Sequence, residues 1–495
     1  MLMQSMRGIV LLGLGPGDAN LMTREAGESP QQIPGVWLRT RQHPAVEGFP
    51  TQLKVQSFDE VYEAGESFEA VYAQIIERVL ELGRRPEGVT YAVPGHPFEA
   101  ETTGPEIARR AREEGIPVRV IEGISFLDPV CTALGIDPFP ALALVDGLDL
   151  AVRHVPAFPP DSPALISQIY SRQVASDVKL TLNAVYPDEH PVRLVHAAGT
   201  PQQLVEDLRL YEIDRSEHIG LLTALYVPPL ARDGSLEGFQ EIVAHLRAPD
   251  GCPWDKEQTL QSLGPNLLEE THEALEALDE ENFDGLREEL GDLILLVTML
   301  AQIAGEEGLF QMTDVIQGIH RKIVRRHPHV FGDVNVDGTA GVLLNWERLK
   351  EDERKQKNGQ DAPVEAKGLL DGVSKSLPSL SQAQQYQVRA AHVGFDWPDI
   401  EGVKQKLLEE WAEVGAAHGS EQLENELGDL LFSAVNLVRW HKLDAETVLR
   451  KANQRFYRRF KYIEAGARKS GRNLTDLSLD ELEALWQEAK KEQHP

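Results

Sequence analysis

Glu270 and Glu273 stand three residues apart, as do Glu289 and Asp292 some twenty residues later. The same four acids return as Glu410, Glu413, Glu426 and Asp429. On a helix, a spacing of three puts two side chains on one face. Each set therefore reads as two helices of an antiparallel hairpin, joined by a short loop containing Gly285 in the first case. Leu267, Ala274, Leu275 and Leu278 mark the apolar stripe of the first helix. At 100° per residue Glu270 borders that stripe, whereas Glu269 and Glu276 point away. Leu290, Ile294, Val297 and Ala301 mark the stripe of the second helix, with Glu289 beside it. Each helix then aims an acidic pair at its partner. Two unit charges at 4 Å repel by about 4 kcal/mol at an effective dielectric near 20. A divalent cation removes that repulsion, and an all-oxygen ligand set suits Mg²⁺ or Mn²⁺. Such an ion bridges to phosphates, polarises phosphorus and neutralises a leaving pyrophosphate. The competing reading is two solvated acidic helix faces. The second copy of the pattern weighs against it.

These acids belong to a repeat. LLEETHE at 267–273 and EELGDLILL at 288–296 are matched by LLEEWAE at 407–413 and NELGDLLFS at 425–433. Arg325-Arg326 and Arg458-Arg459 follow, and then Trp346 and Trp486, each before a charged helix. Both repeats show helical periodicity with almost no strand signal. The charged stretch 351–368, EDERKQKNGQDAPVEAKG, buries no face and reads as a linker between them. The expected bounds are 239–350 and 369–495.

CPWDKEQT at 252–259, the paired LLEE and ELGDL segments, RRHPHVFG at 325–332 and NQRFYRRF at 453–460 resemble the MazG family. That family consists of all-α nucleoside triphosphate pyrophosphohydrolases with tandem domains. The resemblance covers about 240–495. It implies Mg²⁺, dimerisation, and cleavage between the α and β phosphates of several NTPs. Its metal ligands carry over to Glu270, Glu273, Glu289 and Asp292, and to Glu410, Glu413, Glu426 and Asp429. A triphosphate also needs cations. Lys406 lies one turn before Glu410, and Arg455, Arg458 and Arg459 add donors suited to phosphate. Trp486 either stacks on the nucleotide or fills a core. The first repeat offers Lys322, Arg325, Arg326 and Trp346, but has Asn266 where the second has Lys406.

The first 225 residues are built differently. Short apolar runs at 8–14, 88–93, 117–121, 141–145, 192–198 and 219–227 read as strands. The segments 67–82, 103–115 and 201–210 read as helices. This alternation predicts an α/β domain with a largely parallel sheet. PPLARDGSLEG at 228–238 reads as a linker. GLGPGD at 13–18 follows the first strand, where glycines let backbone approach a ligand. It is not a dinucleotide fingerprint, and a plain tight turn is an equal reading. YAVPGHPFEA at 91–100, EGISFLD at 122–128 and HAAGTPQQ at 196–203 follow in order. Together, over 5–228, the segments resemble the tetrapyrrole methylase family, in the variant fused to MazG domains. This implies a domain of about 1–228 that binds S-adenosylmethionine, with contacts at Gly13, Gly15, Gly17, Pro94, Gly95 and Ser125. The GDP-like turn of many methylases is here Pro94-Gly95-His96-Pro97, which leaves the acceptor open. His96 reads as a functional group or as a turn histidine bonded to backbone.

Composition bounds the rest. The 495 residues include 79 acids and 49 bases, a net charge of -30. That field disfavours nucleic acid and membrane surfaces as partners, while one local cation site still admits a nucleotide. Cys131 and Cys252 form no disulfide framework, so a reducing, cytoplasmic setting is expected. The run Ile9 to Leu14 reads as a strand rather than a signal peptide. Leu293 to Ala301 is too short to span a bilayer. The fold expectation is a multidomain chain: an α/β methylase-like domain, then two all-α helical domains. The leading function is NTP hydrolysis to NMP and pyrophosphate by a homodimer. The alternatives are a methyltransferase whose helical half dimerises, and a nucleotide sensor without turnover.

Overall fold

The computed structural model describes residues 8–65, 67–336, 338, 341–342, 345, 349 and 368–492. Trp346 and most of the expected linker, 351–367, lie outside them. The chain divides into two compact units, Met1–Gln258 and Thr259–Pro495.

The first unit opens with a parallel sheet of β1 (Ile9–Gly13), β2 (Gly35–Leu38), β3 (Lys54–Ser57), β4 (Val89–Val93) and β5 (Val118–Ile121), in the order β3-β2-β4-β1-β5. All its pairings are parallel. The period of two splits the apolar residues between its faces. Ile9, Leu11, Tyr91 and Val93 pack against Ile75, Val79 and Leu80 of α1 (Phe68–Gly83) and Ile107, Ala108 and Ala111 of α2 (Thr103–Glu113). Leu12, Leu14 and Ala92 form a second core with Val36 and Leu38. Central strands buried on both faces explain the continuous apolar runs.

After α3 (Leu127–Leu134) comes a second sheet of β6 (Ala143–Asp146), β7 (Ala164–Ser167), β8 (Pro191–His196), β9 (Leu204–Arg209) and β10 (Thr223–Val227). Its order is β6-β7-β10-β8-β9. Only β6 and β7 run parallel, so the parallel expectation holds for the first sheet and not for this one. α4 (Arg172–Leu182) buries Val174, Val178 and Leu182 beneath it. The segment 201–210, expected as a helix, is instead the edge strand β9. Leu204, Val205, Leu208 and Leu210 mimic a helical stripe, but pairing from His196↔Leu204 to Pro191↔Arg209 overrides it. Its charged residues suit an edge.

The segment 228–238 does not act as a spacer. Leu230 N–H donates to the Pro160 carbonyl at 2.8 Å, and Ser235 Oγ bonds Asp161. α5 (Leu236–Arg247) lies within the first compact unit, which runs to Gln258.

The described residues of the second unit contain no strand. They form α6 (Gly264–Asp279), α7 (Phe283–Glu306) and α8 (Met312–Arg326), then α9 (Ser379–His392), α10 (Ile400–Ala416), α11 (Ser420–Trp440), α12 (Ala445–Lys469) and α13 (Leu479–Glu492). α6 pairs with α7 and α10 with α11, the two expected hairpins. The turn between α6 and α7 is Glu280–Asn282. Gly285 lies inside the first turn of α7, where its N–H caps onto Asn282 Oδ1 at 3.1 Å.

Candidate active site

The hairpins bring the acids together. In the first, carboxylate oxygens of Glu270, Glu273 and Glu289 lie within 4.8 Å of one another. In the second, those of Glu410, Glu426 and Asp429 do the same. Each expected set of four is thus a tight group of three plus one outlier, and the outlier differs: Asp292 in the first repeat, Glu413 in the second. The expected outward direction of Glu269 and Glu276 is also seen; both are exposed, while Glu270 is half-buried.

The stripe on α7 is placed differently. Leu290, Ile294 and Val297 are exposed, and the buried line runs through Leu296, Met299 and Ile303. Glu289 and Asp292 continue that buried line by steps of three and four. The apolar side of α7 read from sequence is therefore a second, exposed face from Leu290 to Val297, and only its last member, Ala301, is buried. Its equivalents on α11, Leu427 and Leu431, are exposed as well, as are Leu268 on α6 and Leu408 on α10.

Crowding sets the charge state of the first group. Partial desolvation and the charges of Asp292 and Glu273 hold Glu270 above the usual carboxylate range. Glu289 is raised by desolvation and by its hydrogen bond to Glu270. Glu273 is raised too, by desolvation and by Glu289.

The second group meets a cationic side chain. Lys406 Nζ stands 2.7 Å from Glu410 Oε1 and 2.8 Å from Glu409 Oε1. These bonds hold the ammonium well above its ordinary range. Glu410 is only 4% exposed, and its other oxygen, Oε2, is buried with no hydrogen-bond partner. That second oxygen lacks a cation or donor. The all-carboxylate groups and this orphaned oxygen fit a hard divalent ion. Glu413 is lifted by desolvation, then by Glu410 and Glu426.

The expected phosphate donors are placed less uniformly. Lys406 touches the second acidic group. Arg455 is exposed on α12. Arg458 Nη2 donates to Glu280 at 3.2 Å, in the first repeat. Arg459 lies over the Trp486 ring at 5.5 Å, and Phe456 meets the same ring at 5.3 Å. These contacts put Trp486 in the packing between α12 and α13. Lys322, Arg325 and Arg326 lie on α8.

In the first unit the glycine-rich segments meet at the carboxyl ends of β1, β4 and β5, where open α/β sheets bind ligands. Gly15 and Gly95 form a bridge: Gly95 N–H donates to Gly15 O at 2.8 Å, and Gly15 N–H to Gly95 O at 3.2 Å. Gly13 lies so close to Gly123 that a Cβ would stand 2.4 Å from its nitrogen. Gly17 lies against Thr200. Pro94 precedes this bridge, and Ser125 Oγ accepts from Leu127 N–H at 3.1 Å. His96 Nδ1 accepts from Phe98 N–H at 3.1 Å, the turn-histidine alternative. The sequence reading missed His43. It is buried beside Gly15, with both ring nitrogens unpartnered and its pKa pushed down to about 4 by burial. Its place in an unremarkable RTRQHP segment gave no signal.

Two family models match the chain. The MazG nucleotide pyrophosphohydrolase domain matches residues 258–331 and 399–463. The tetrapyrrole (corrin/porphyrin) methylases match 8–214. The uncharacterized protein YabN of Bacillus subtilis (strain 168) is 41% identical, over 98% of both chains. The nucleoside triphosphate pyrophosphohydrolase of Escherichia coli (strain K12) is 44% identical over 51% of this chain and 95% of its own. The nucleoside triphosphate pyrophosphohydrolase/pyrophosphatase MazG of Thermotoga maritima is 43% identical, also over 51% and 95%.

Proposed function

This chain belongs to the MazG nucleotide pyrophosphohydrolase family, joined to a tetrapyrrole methylase domain, and from that premise we propose that it hydrolyses nucleoside triphosphates to NMP and pyrophosphate. The observation that carries the reading is the group of Glu410, Glu426 and Asp429, in which Glu410 is buried and its Oε2 has no hydrogen-bond partner.

In this reading Glu410, Glu426 and Asp429 would hold Mg²⁺, with Glu413 beside them, and Glu270, Glu273, Glu289 and Asp292 are the counterpart. Mn²⁺ would fit the same oxygens. The ion supplies charge neutralisation at the triphosphate. Glu413, outside the tight group and one turn along α10, takes the proton of the attacking water. The oxygen of that water bonds to the α phosphorus as the bond to the α–β bridging oxygen breaks, and pyrophosphate leaves. Lys406 leaves Glu410 for a phosphate oxygen once the carboxylate has another cation. Arg455 and Arg459 add phosphate contacts, and so do Lys322, Arg325 and Arg326 in the first repeat.

The repeats at 239–350 and 369–495 are the hydrolase domains. The exposed residues at matched positions, Leu268 and Leu408, Leu290 and Leu427, Ile294 and Leu431, support a homodimer. The first domain takes S-adenosylmethionine or its demethylated product at the Gly13–Gly17, Pro94–Gly95 and Ser125 loops. No helix among the described residues is long and apolar enough to cross a membrane, and we assign the protein to the cytoplasm.

A panel of NTPs and dNTPs with Mg²⁺, resolving NMP from NDP, tests the reaction. NMP and pyrophosphate are expected, with loss of both in EDTA. NDP and orthophosphate would refute it. Calorimetry of the full chain with S-adenosylmethionine tests the first domain, and absence of heat at millimolar ligand would refute that assignment.

A further inference from the structure

α6 ends against its own electrostatics. Its last residue is Asp279, and Glu280 and Glu281 follow. The carboxyl end of a helix carries partial negative charge and favours cations. α6 has no basic residue in its last turn. The turn is also strained. Asn282 N–H donates to Ala277 O at 2.9 Å and Glu281 N–H to Leu278 O at 3.3 Å, a Schellman closure. The left-handed position of that motif favours glycine, yet here it holds Glu281 at φ 54°.

This corner belongs to the first repeat alone. Three residues more separate Glu270 from Glu289 than Glu410 from Glu426. The matching turn of the second repeat, Ala417–Gly419, holds no acid and places a glycine at positive φ.

The missing cations come from the other repeat. Arg450 Nε bonds Asp279 Oδ2 at 2.5 Å, and the Asp279 side chain is only 8% exposed. Arg458 Nη2 bonds Glu280 Oε1 at 3.2 Å in a more exposed pair. Arg450 and Arg458 are eight residues apart, so they share one face of α12 and reach the corner from two levels. The buried pair carries most of the effect, since an exposed pair contributes little.

We propose that Arg450, assisted by Arg458, is a positioning residue for the first carboxylate group: α12 of the second repeat fixes the acidic end of α6, and so sets where Glu270 and Glu273 stand relative to Glu289. Glu273 lies six residues from Asp279, about 9 Å along the axis, and a helix transmits rotation and slide over that distance. The cations beside the two acidic groups are thereby divided. Arg450 and Arg458 serve the first repeat, and Lys406 serves the second. The part concerning metal rests on the proposed function; the clamp itself does not.

The test uses the full chain, with Mn²⁺ as the probe read by electron paramagnetic resonance. Glu410→Gln with Glu426→Gln isolates the first group, and Glu270→Gln with Glu289→Gln isolates the second. Arg450→Met is expected to weaken Mn²⁺ at the first group about five- to tenfold and leave the second unchanged. It should lower Tm by about 5 °C. Arg450→Lys should recover part of both. Equal weakening of the two groups, or none, overturns the proposal. If the parent binds no Mn²⁺ at either group, the metal reading fails, and the clamp is decided by Tm alone. Arg450→Met and Asp279→Asn should then lower Tm non-additively, and additive losses would overturn it.

Discussion

The two helical repeats carry the same four acids on the same hairpin, yet they meet the same repulsion in different ways. The first leaves its acids crowded, with desolvation and mutual repulsion holding Glu270, Glu273 and Glu289 above the usual carboxylate range. The second recruits a cation, with Lys406 2.7 Å from a nearly buried Glu410. The deciding position lies outside the acidic motif. Lysine at 406 and asparagine at 266 precede otherwise identical LLEE segments. Carboxyls whose proton affinity is raised bind protons in competition with a metal, whereas a lysine only has to turn towards a phosphate. On the proposed function, the second group would be the better prepared for a tetra-anionic substrate, and the first would stand closer to a structural or auxiliary metal site.

The sharpest way to break this comparison is to remove one acid from each repeat. Glu413→Ala should lower kcat/KM for Mg²⁺-dependent pyrophosphate release by on the order of 100-fold or more, the scale of a lost transition-state charge contact. Glu273→Ala should leave a substantial part of the activity. Equal losses on matched folded samples would mean two equivalent sites and end the asymmetry.

A smaller effect is expected at the position that separates the repeats. Lys406→Asn removes a charged hydrogen bond of about 1.5–3 kcal/mol, or roughly ten- to a hundredfold in rate if felt in the transition state. The reciprocal change sharpens the point. Asn266→Lys, measured in the Glu413→Ala background, should raise the residual activity of the first repeat. No change there would show that the lysine matters only in its own surroundings.

Much of this comparison is legible in the amino-acid sequence, because it is local. Helical spacing places Glu270 beside Glu273 and Lys406 beside Glu410, and a repeated pattern filters chance acidity. What the sequence does not carry is long-range. Leu290, Ile294 and Val297 look like a core stripe but stay exposed, since helix period identifies an apolar face without saying what covers it. The segment 201–210 has helical spacing and becomes a strand because β8 offers an edge. Arg458 sits in a basic run that reads as phosphate binding, while its partner Glu280 lies 178 residues away. His43 gives no signal at all, because its interest is two unpartnered nitrogens that only burial reveals.

The smallest effect expected comes from the turns that join each pair of helices, and it has opposite sign in the two repeats. Glu281 adopts φ 54°, where a side chain costs about 1 kcal/mol and glycine costs little. Gly419 adopts φ 91°, and a Cβ placed there would meet no atom within 4 Å, so only the backbone opposes a side chain. Glu281→Gly also deletes a charge beside Asp279 and Glu280 at a helix carboxyl end, a separate gain of about 0.3–1 kcal/mol. Glu281→Gln removes that charge and keeps the Cβ. The difference between the two variants is therefore the backbone contribution. Glycine should exceed glutamine by about 0.5–1 kcal/mol, a rise of roughly 2–3 °C in the Tm of the helical unit. Gly419→Ala should lower Tm by a similar or larger amount, about 1–3 kcal/mol. Were Glu281→Gly no better than Glu281→Gln, the first turn would carry no strain. Its tolerance of three acids would then rest wholly on the arginines of α12.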